Sequence, residues 1–299
     1  VYKRQQQIDP ASLIHALQNH DELTLELVHF WTLHKADLFK FGGERLSGAT
    51  LRERIRSTMY RRLSGERAPY NQRFVTNGVA STTASVIAAA LGYEDIEVLS
   101  ETDIERIQQA HLLLVIYNAF QPGVFALSGW DLVGALTVPI ALVEHLTGDG
   151  DTRWINRGAY DLMGIGDDRE TAASGLPKAR SLYGSLPEQL QREDSFVSQL
   201  KHLLAVRRHF RINAARQIDV PDVAHPGNLI LVHELPDALG TQVTALNFRE
   251  SPSEETIALP APGYTYAIDM VSDERLDCVD GTLTIPLAGY VGRSLLMRS

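Results

Sequence analysis

The sequence predicts an α/β part followed by an all-β domain. Up to about residue 210, short apolar runs alternate with long helical patterns, the rhythm of strands joined by helices. After Ile212 the pattern changes to short runs at strand spacing, separated by Pro, Gly, Asp and Asn, as in an antiparallel β-sandwich. With 299 residues and 44% hydrophobic content, the chain can bury a sizeable core. The expected division is 1–211 for the first part, with a long insertion at about 33–100, and 212–299 for the β domain.

The elements follow in order. Ser12-Leu13-Ile14-His15-Ala16-Leu17, after Pro10, reads as a short buried strand. It runs into Asn19-His20-Asp21-Glu22, four polar groups that are costly at a buried strand end unless paired or used. Residues 51–63 and the Ala-rich 82–91 read as helices. Residues 104–120 form a strong helical pattern, with Thr102 or Asp103 as cap and Gln121-Pro122-Gly123 as the stop. Residues 124–127 make a second short buried strand, and 196–210 another helix with Leu200, Leu203, Leu204 and Val206 apolar. Between them, 149–187 is rich in Gly, Asp and Arg and reads as loop, part of it facing a site. Residues 229–235, 242–248, 254–259, 264–270, 282–287 and 294–297 are the expected strands of the second domain.

Composition excludes several functions. A net charge of −9 gives no basic footprint for nucleic acid. The basic stretch from Arg52 to Arg62 reads as a solvated helix face. Cys278 is the only cysteine, so no disulfide framework or Cys-based metal site is expected, which fits a reducing, cytoplasmic location. The N-terminus has no apolar core of a signal peptide and reads as a chain opened in its middle. The apolar region 123–146 is interrupted by Gly129, Asp131, Pro139 and Glu144, so a core strand and loop are expected there, and no membrane contact. The histidines show no metal-ligand spacing. Asp149, Asp151, Asp167 and Asp168 could gather around calcium, but they lack the spacing of an EF-hand loop, and a flexible acidic loop is the plainer reading.

Asn19-His20-Asp21 after a buried strand resembles the fourth conserved region of the α-amylase family, glycoside hydrolase family 13. The longer string His20-Asp21-Glu22-Leu23-Thr24-Leu25-Glu26 is more specific and is similar to the members that isomerise maltose to trehalose. Residues from Gln121 to Gly134, then Asp149-Gly150-Asp151-Thr152-Arg153-Trp154 and Tyr183-Gly184-Ser185-Leu186-Pro187, continue the similarity over nearly the whole chain.

The resemblance implies the C-terminal part of a (β/α)8 TIM barrel, about strands seven and eight with their helices, followed by the β-sandwich. It implies maltose, trehalose and glucose as ligands, no organic cofactor, and room for calcium in a full-length protein. The partner would be the N-terminal part of the same barrel; a homo-oligomer is also compatible. Retaining glycosidases need a nucleophilic carboxylate and an acid/base about 5 Å away. No segment here resembles the nucleophile's Gly-x-Arg-x-Asp setting, so both are expected outside the chain and the isolated chain is expected to be inactive.

The resemblance makes Asp21 the transition-state-stabilising carboxylate and His20 a donor to the same sugar. Asn19 and Glu22 either touch substrate or support the loop. Trp130 and Asp131, at the second strand's end, border a sugar subsite or serve structure, and Arg153 and Trp154 carry the same two readings. Residues 33–100 are expected to form a helical lid over the sugar. Related alternatives are a sugar-binding or structural half without turnover, a glucosidase, or a sucrose or oligosaccharide isomerase.

Overall fold

The computed structural model describes residues 12–18, 21, 23–24, 26–75, 78–166 and 170–299. In chain order the first elements are β1 (Ile14–Ala16), β2 (Leu23–Thr24), the hairpin β3 (Leu38–Phe41) and β4 (Glu44–Ser47), and α1 (Gly48–Leu63). Then come β5 (Gln72–Val75), β6 (Gly78–Ala80), α2 (Thr83–Leu91), α3 (Glu101–Ala119), β7 (Val124–Ala126) and α4 (Phe196–His209). The all-β part holds β8 (Arg216–Asp219), β9 (Asn228–Leu235), β10 (Gly240–Asn247), β11 (Ser253–Ala258), β12 (Tyr266–Asp269), β13 (Arg275–Val279), β14 (Thr282–Leu287) and β15 (Gly292–Arg298).

Each long helix starts where a side chain satisfies free backbone N–H groups. Ser47 accepts from Thr50 N–H at α1, Thr82 from Ser85 N–H at α2, and Ser195 from Ser198 N–H at α4. At α3 the cap is Ser100, not Thr102 or Asp103. Its hydroxyl accepts from Asp103 N–H, and the Asp103 carboxylate accepts back from Ser100 N–H. This reciprocal pair starts the helix three residues before the expected Ile104.

Contacts divide the chain into two compact units. One comprises residues 1–17, 108–127 and 188–299. Within it β1 and β7 pair in parallel, with Ile14 opposite Val124 and Ala16 opposite Ala126. Parallel neighbours need a long crossover; here the chain returns to β7 through α3, which directly precedes it, and the next long helix after β7 is α4. That is the arrangement required of two adjacent barrel strands, so the α/β part has the expected class. The strands are less buried than expected: Ile14 is 70% exposed and Val124 55%. Parallel strands bury both faces only when cover lies on each side, and among the described residues these two pair only with each other.

The β domain is a curled antiparallel sheet of eight strands, ordered β11-β14-β13-β12-β15-β10-β9-β8. Leu283, Ile285 and Leu287 of β14 alternate inward and meet Ile230, Val232, Val243, Ala245 and Leu295 from the opposite layer. Two strands were not foreseen. β13 (Arg275–Val279) carries Arg275 and Asp277 on its exposed face, and β8 (Arg216–Asp219) has charged residues at both ends and an irregular register, which hides the alternation of each. Arg207 of α4 donates to the carbonyls of Ala119, Gln121 and Gly123, the segment that ends α3 and leads into β7. A buried cation there complements the negative end of the α3 dipole.

The second unit comprises residues 18–107 and 128–187. The insertion expected as a helical lid contributes α1 and α2, but also the hairpin β3–β4 and the strands β5 and β6, of which β6 pairs with β2 outside it. Arg52 and Arg56, read as part of a solvated face, are buried on α1. Glu26 and Glu53 neutralise Arg52, and Glu53 also binds Arg56 at 2.7 Å. Three small apolar cores lie in this unit. One gathers Ala80, Val138, Val143 and Ile155, another Trp130, Val133 and Ala135, and the third Leu63, Ala68 and Ala89. No helix among the described residues is long and apolar enough to cross a membrane.

Candidate functional site

Asp21 is the described member of the polar cluster; Asn19, His20 and Glu22 lie outside the described residues. Its side chain is half-exposed, and two guanidinium groups face it. Arg153 Nη1 stands 3.4 Å and Arg157 Nη2 3.6 Å from Asp21 Oδ1. Both arginines come from the loop that begins at Asp149.

Local sequence explains why Arg153 points there. Asp151 caps the single helical turn Thr152–Ile155, accepting from Arg153 N–H at 3.1 Å. The same carboxylate grips the Arg153 side chain at both oxygens, 2.6 Å to Nε and 2.7 Å to Nη2. Such a fork fixes a guanidinium in direction as well as position. Hydrogen bonding from the Arg153 side chain holds the Asp151 carboxyl below the usual carboxylate range. Arg153's remaining nitrogen is thereby aimed at Asp21. With two carboxylates against two guanidiniums, the cluster has no net formal charge.

The other expected residues fall elsewhere in the unit. Trp130 is 8% exposed and packs edge-on against Tyr160 at 6.1 Å, so its ring is covered by protein. Asp131 is buried and accepts from Ser128 N–H at 2.9 Å, shaping the turn Gly129–Val133 after β7. Trp154 is half-buried and packs on the core of Ala80, Val138 and Ile155. Tyr160 connects these parts. Burial pushes its hydroxyl up, the Asp131 charge adds to this, and Arg157 opposes it. Asp21 and Arg153 are thus brought together, while Trp130 and Trp154 pack on apolar cores of the unit and Asp131 bonds within the turn Gly129–Val133.

Arg157 and Gln18 were missed. Arg157 lies past the single helical turn Thr152–Ile155, so no helical spacing links it to Arg153 in sequence. Gln18 had no signal beyond its place before the triplet.

Of the four aspartates considered for calcium, two are described, and both make hydrogen bonds within their own loop. Asp151 is committed to Arg153, and Asp149 accepts from Asp151 N–H at 2.9 Å. Asp167 and Asp168 lie outside the described residues. No group of three or more His, Cys, Asp or Glu poised for a metal occurs among the described residues.

No family model matches the chain, and no curated protein matches it. Several solved structures are similar in fold. An α-amylase from H. orenii aligns at 12% identity and a TM-score of 0.45, over 71% of this chain and 37% of that one. An isomaltulose synthase from Klebsiella sp. LX3 aligns at 15% identity and 0.43, over 64% and 38%. A trehalulose synthase aligns at 14% identity and 0.47, also over 64% and 38%. The chain therefore spans little more than a third of the length of these neighbours. At such identities and scores the likeness assigns neither family nor activity.

Proposed function

We propose that the chain belongs to the α-amylase family and supplies one edge of a glucose pocket in a retaining glucosyl transferase that isomerises maltose to trehalose. What supports this reading is the resemblance of the string from Asn19 to Glu26 to that family, together with the Asp21 carboxylate held by two arginines and still half-exposed. A carboxylate so held can accept hydrogen bonds from neighbouring hydroxyls of a sugar ring. Those bonds strengthen as the ring flattens toward an oxocarbenium ion, which makes them differential binding of the transition state. Arg153 and Arg157 keep the oxygens oriented. The nucleophile and acid/base would come from the remainder of the barrel, and residues 33–100 would wall the pocket against water while glucose turns and re-attacks.

Titration of the purified chain with maltose and glucose tests the reading. Weak, saturable binding that disappears in Asp21→Ala supports it, and binding indifferent to Asp21 overturns it. A second experiment, maltose incubated with the chain alone, separates turnover from binding. Trehalose formation there would show that no outside carboxylates are needed.

A further inference from the structure

Gln18 makes four hydrogen bonds that tie two separate segments, 81–83 and the one at Ser128, to the turn bearing Asp21. Its side-chain amide donates to Ser81 O at 2.7 Å and to Asp21 O at 3.3 Å. Its Oε1 accepts from the Thr83 hydroxyl at 3.2 Å. Its backbone carbonyl accepts from the Ser128 hydroxyl at 2.8 Å. Ser81 and Thr83 are almost fully buried and Gln18 is half-buried, so these bonds are partly shielded from water and costly to leave unmade.

The bonds continue on both sides. The Ser81 hydroxyl donates to Asn71 Oδ1 at 2.6 Å, and the Asn71 amide donates to Leu63 O at 2.9 Å, at the end of α1. Beside Ser81, Thr82 caps α2. Beyond Ser128, the Asp131 carboxylate fixes the Ser128 N–H. One continuous path therefore runs from α1 through Asn71, Ser81 and Gln18 to the backbone of Asp21, with a second anchor at Ser128.

We infer that Gln18 is a positioning residue: it places the Asp21 carboxylate, and through it the insertion's own fold sets the geometry of the sugar edge. The inference rests on the function proposed above for its catalytic consequence, but not for the placement itself. The chemistry favours glutamine. The site needs a donor toward two carbonyls and an acceptor for a hydroxyl on one planar group. Glutamate would set a charged acceptor against both carbonyls, and methionine would fill the space with neither function.

Amide hydrogen exchange on the purified chain decides the placement. Gln18→Met is expected to speed exchange of the amides at 21–24 and 81–83 by about tenfold or more, the size of a lost buried hydrogen bond, relative to the unsubstituted chain. In Gln18→Glu the protection should return as pH falls and the carboxyl takes a proton, since the neutral acid again offers a donor. Unchanged exchange in Gln18→Met overturns the inference. In an enzyme carrying these residues, Gln18→Met is expected to lower kcat by about a hundredfold, as for a misplaced reacting group, with KM raised by a smaller factor. Faster exchange with unaltered kcat would overturn the positioning role. If the unsubstituted enzyme fails to act on maltose, the proposed function falls alone and the exchange comparison still decides whether Gln18 places Asp21.

Discussion

The Arg153 guanidinium lies 3.4 Å from the Asp21 carboxylate although 132 positions separate the two in sequence. Asp151 occupies two of its three nitrogens, so Arg153 is aimed and cannot swing freely. Replacing Arg153 by leucine should weaken maltose binding by about fivefold, the size of a partly exposed ion pair. Asp151→Asn should have a smaller effect, because it loosens Arg153 without removing it. Calorimetric titration of both variants checks the order, and equal affinities across the three proteins would contradict it.

Glu255 gives the β domain an acid limit. Burial opposes its ionisation, yet Ala224 N–H, the Asn228 amide and His225 outweigh burial and hold it below its ordinary value near 4.5. A group held low binds fewer protons folded than unfolded. Its stabilisation is present above that ordinary value and is lost as pH falls through the lowered one. Glu255→Gln should cost about 2 kcal/mol near neutral pH, because its amide would face three donors. The same variant should lose less stability than the unsubstituted chain on going to about pH 3. Urea midpoints at both pH values test this, and parallel losses would count against it.

Arg207 should be among the most sensitive positions of its unit. Arg207→Met would strand the carbonyls of Ala119, Gln121 and Gly123 and should destabilise by about 3 kcal/mol. Arg207→Lys should recover part of this, since an ammonium cannot reach all three acceptors from one position. Denaturant unfolding ranks the two variants, and the exchange rate of the Val124 amide reports whether the entry to β7 has loosened.

Gly134 ends the turn after Trp130 with φ +59°, and a Cβ there would stand 2.6 Å from the Tyr183 ring. Tyr183 is buried, so the ring has little room to retreat. Gly134→Ala should cost about 3 kcal/mol, combining the left-handed penalty with overpacking. Gly92→Ala is the control: its φ is +93°, but nothing lies within 4 Å of the new atom. It should cost about 1 kcal/mol. Thermal unfolding of both compares strain with strain plus clash.

The long helices and most strands of the β domain were legible because periodicity and burial agree there. Leu283, Ile285 and Leu287 alternate with Thr284 and Pro286, and the sheet uses that alternation as written. β13 was not legible, because Arg275, Asp277 and Val279 all face solvent and leave only Leu276 and Cys278 as a signal. The hairpin β3–β4 was hidden for a related reason, since Leu38 and Phe41 are exposed despite being apolar. At the site, the sequence singled out Asp21 and Arg153. It could not separate Arg153, which faces Asp21, from Trp154 beside it, which turns into the core.

Taken alone, then, the sequence determined the α/β-then-β order and the helix spans to within a few residues, and it singled out the turn at Asp21 as a candidate site. These rest on local pattern, where capping groups and apolar spacing act over a few residues. The tertiary structure decided which polar groups meet: Arg153 and Arg157 at Asp21, and Gln18 among Ser81, Thr83 and Ser128. Hydrogen bonds and ion pairs act over about 3 Å, and which distant residues come that close depends on how loops without periodicity are folded against one another.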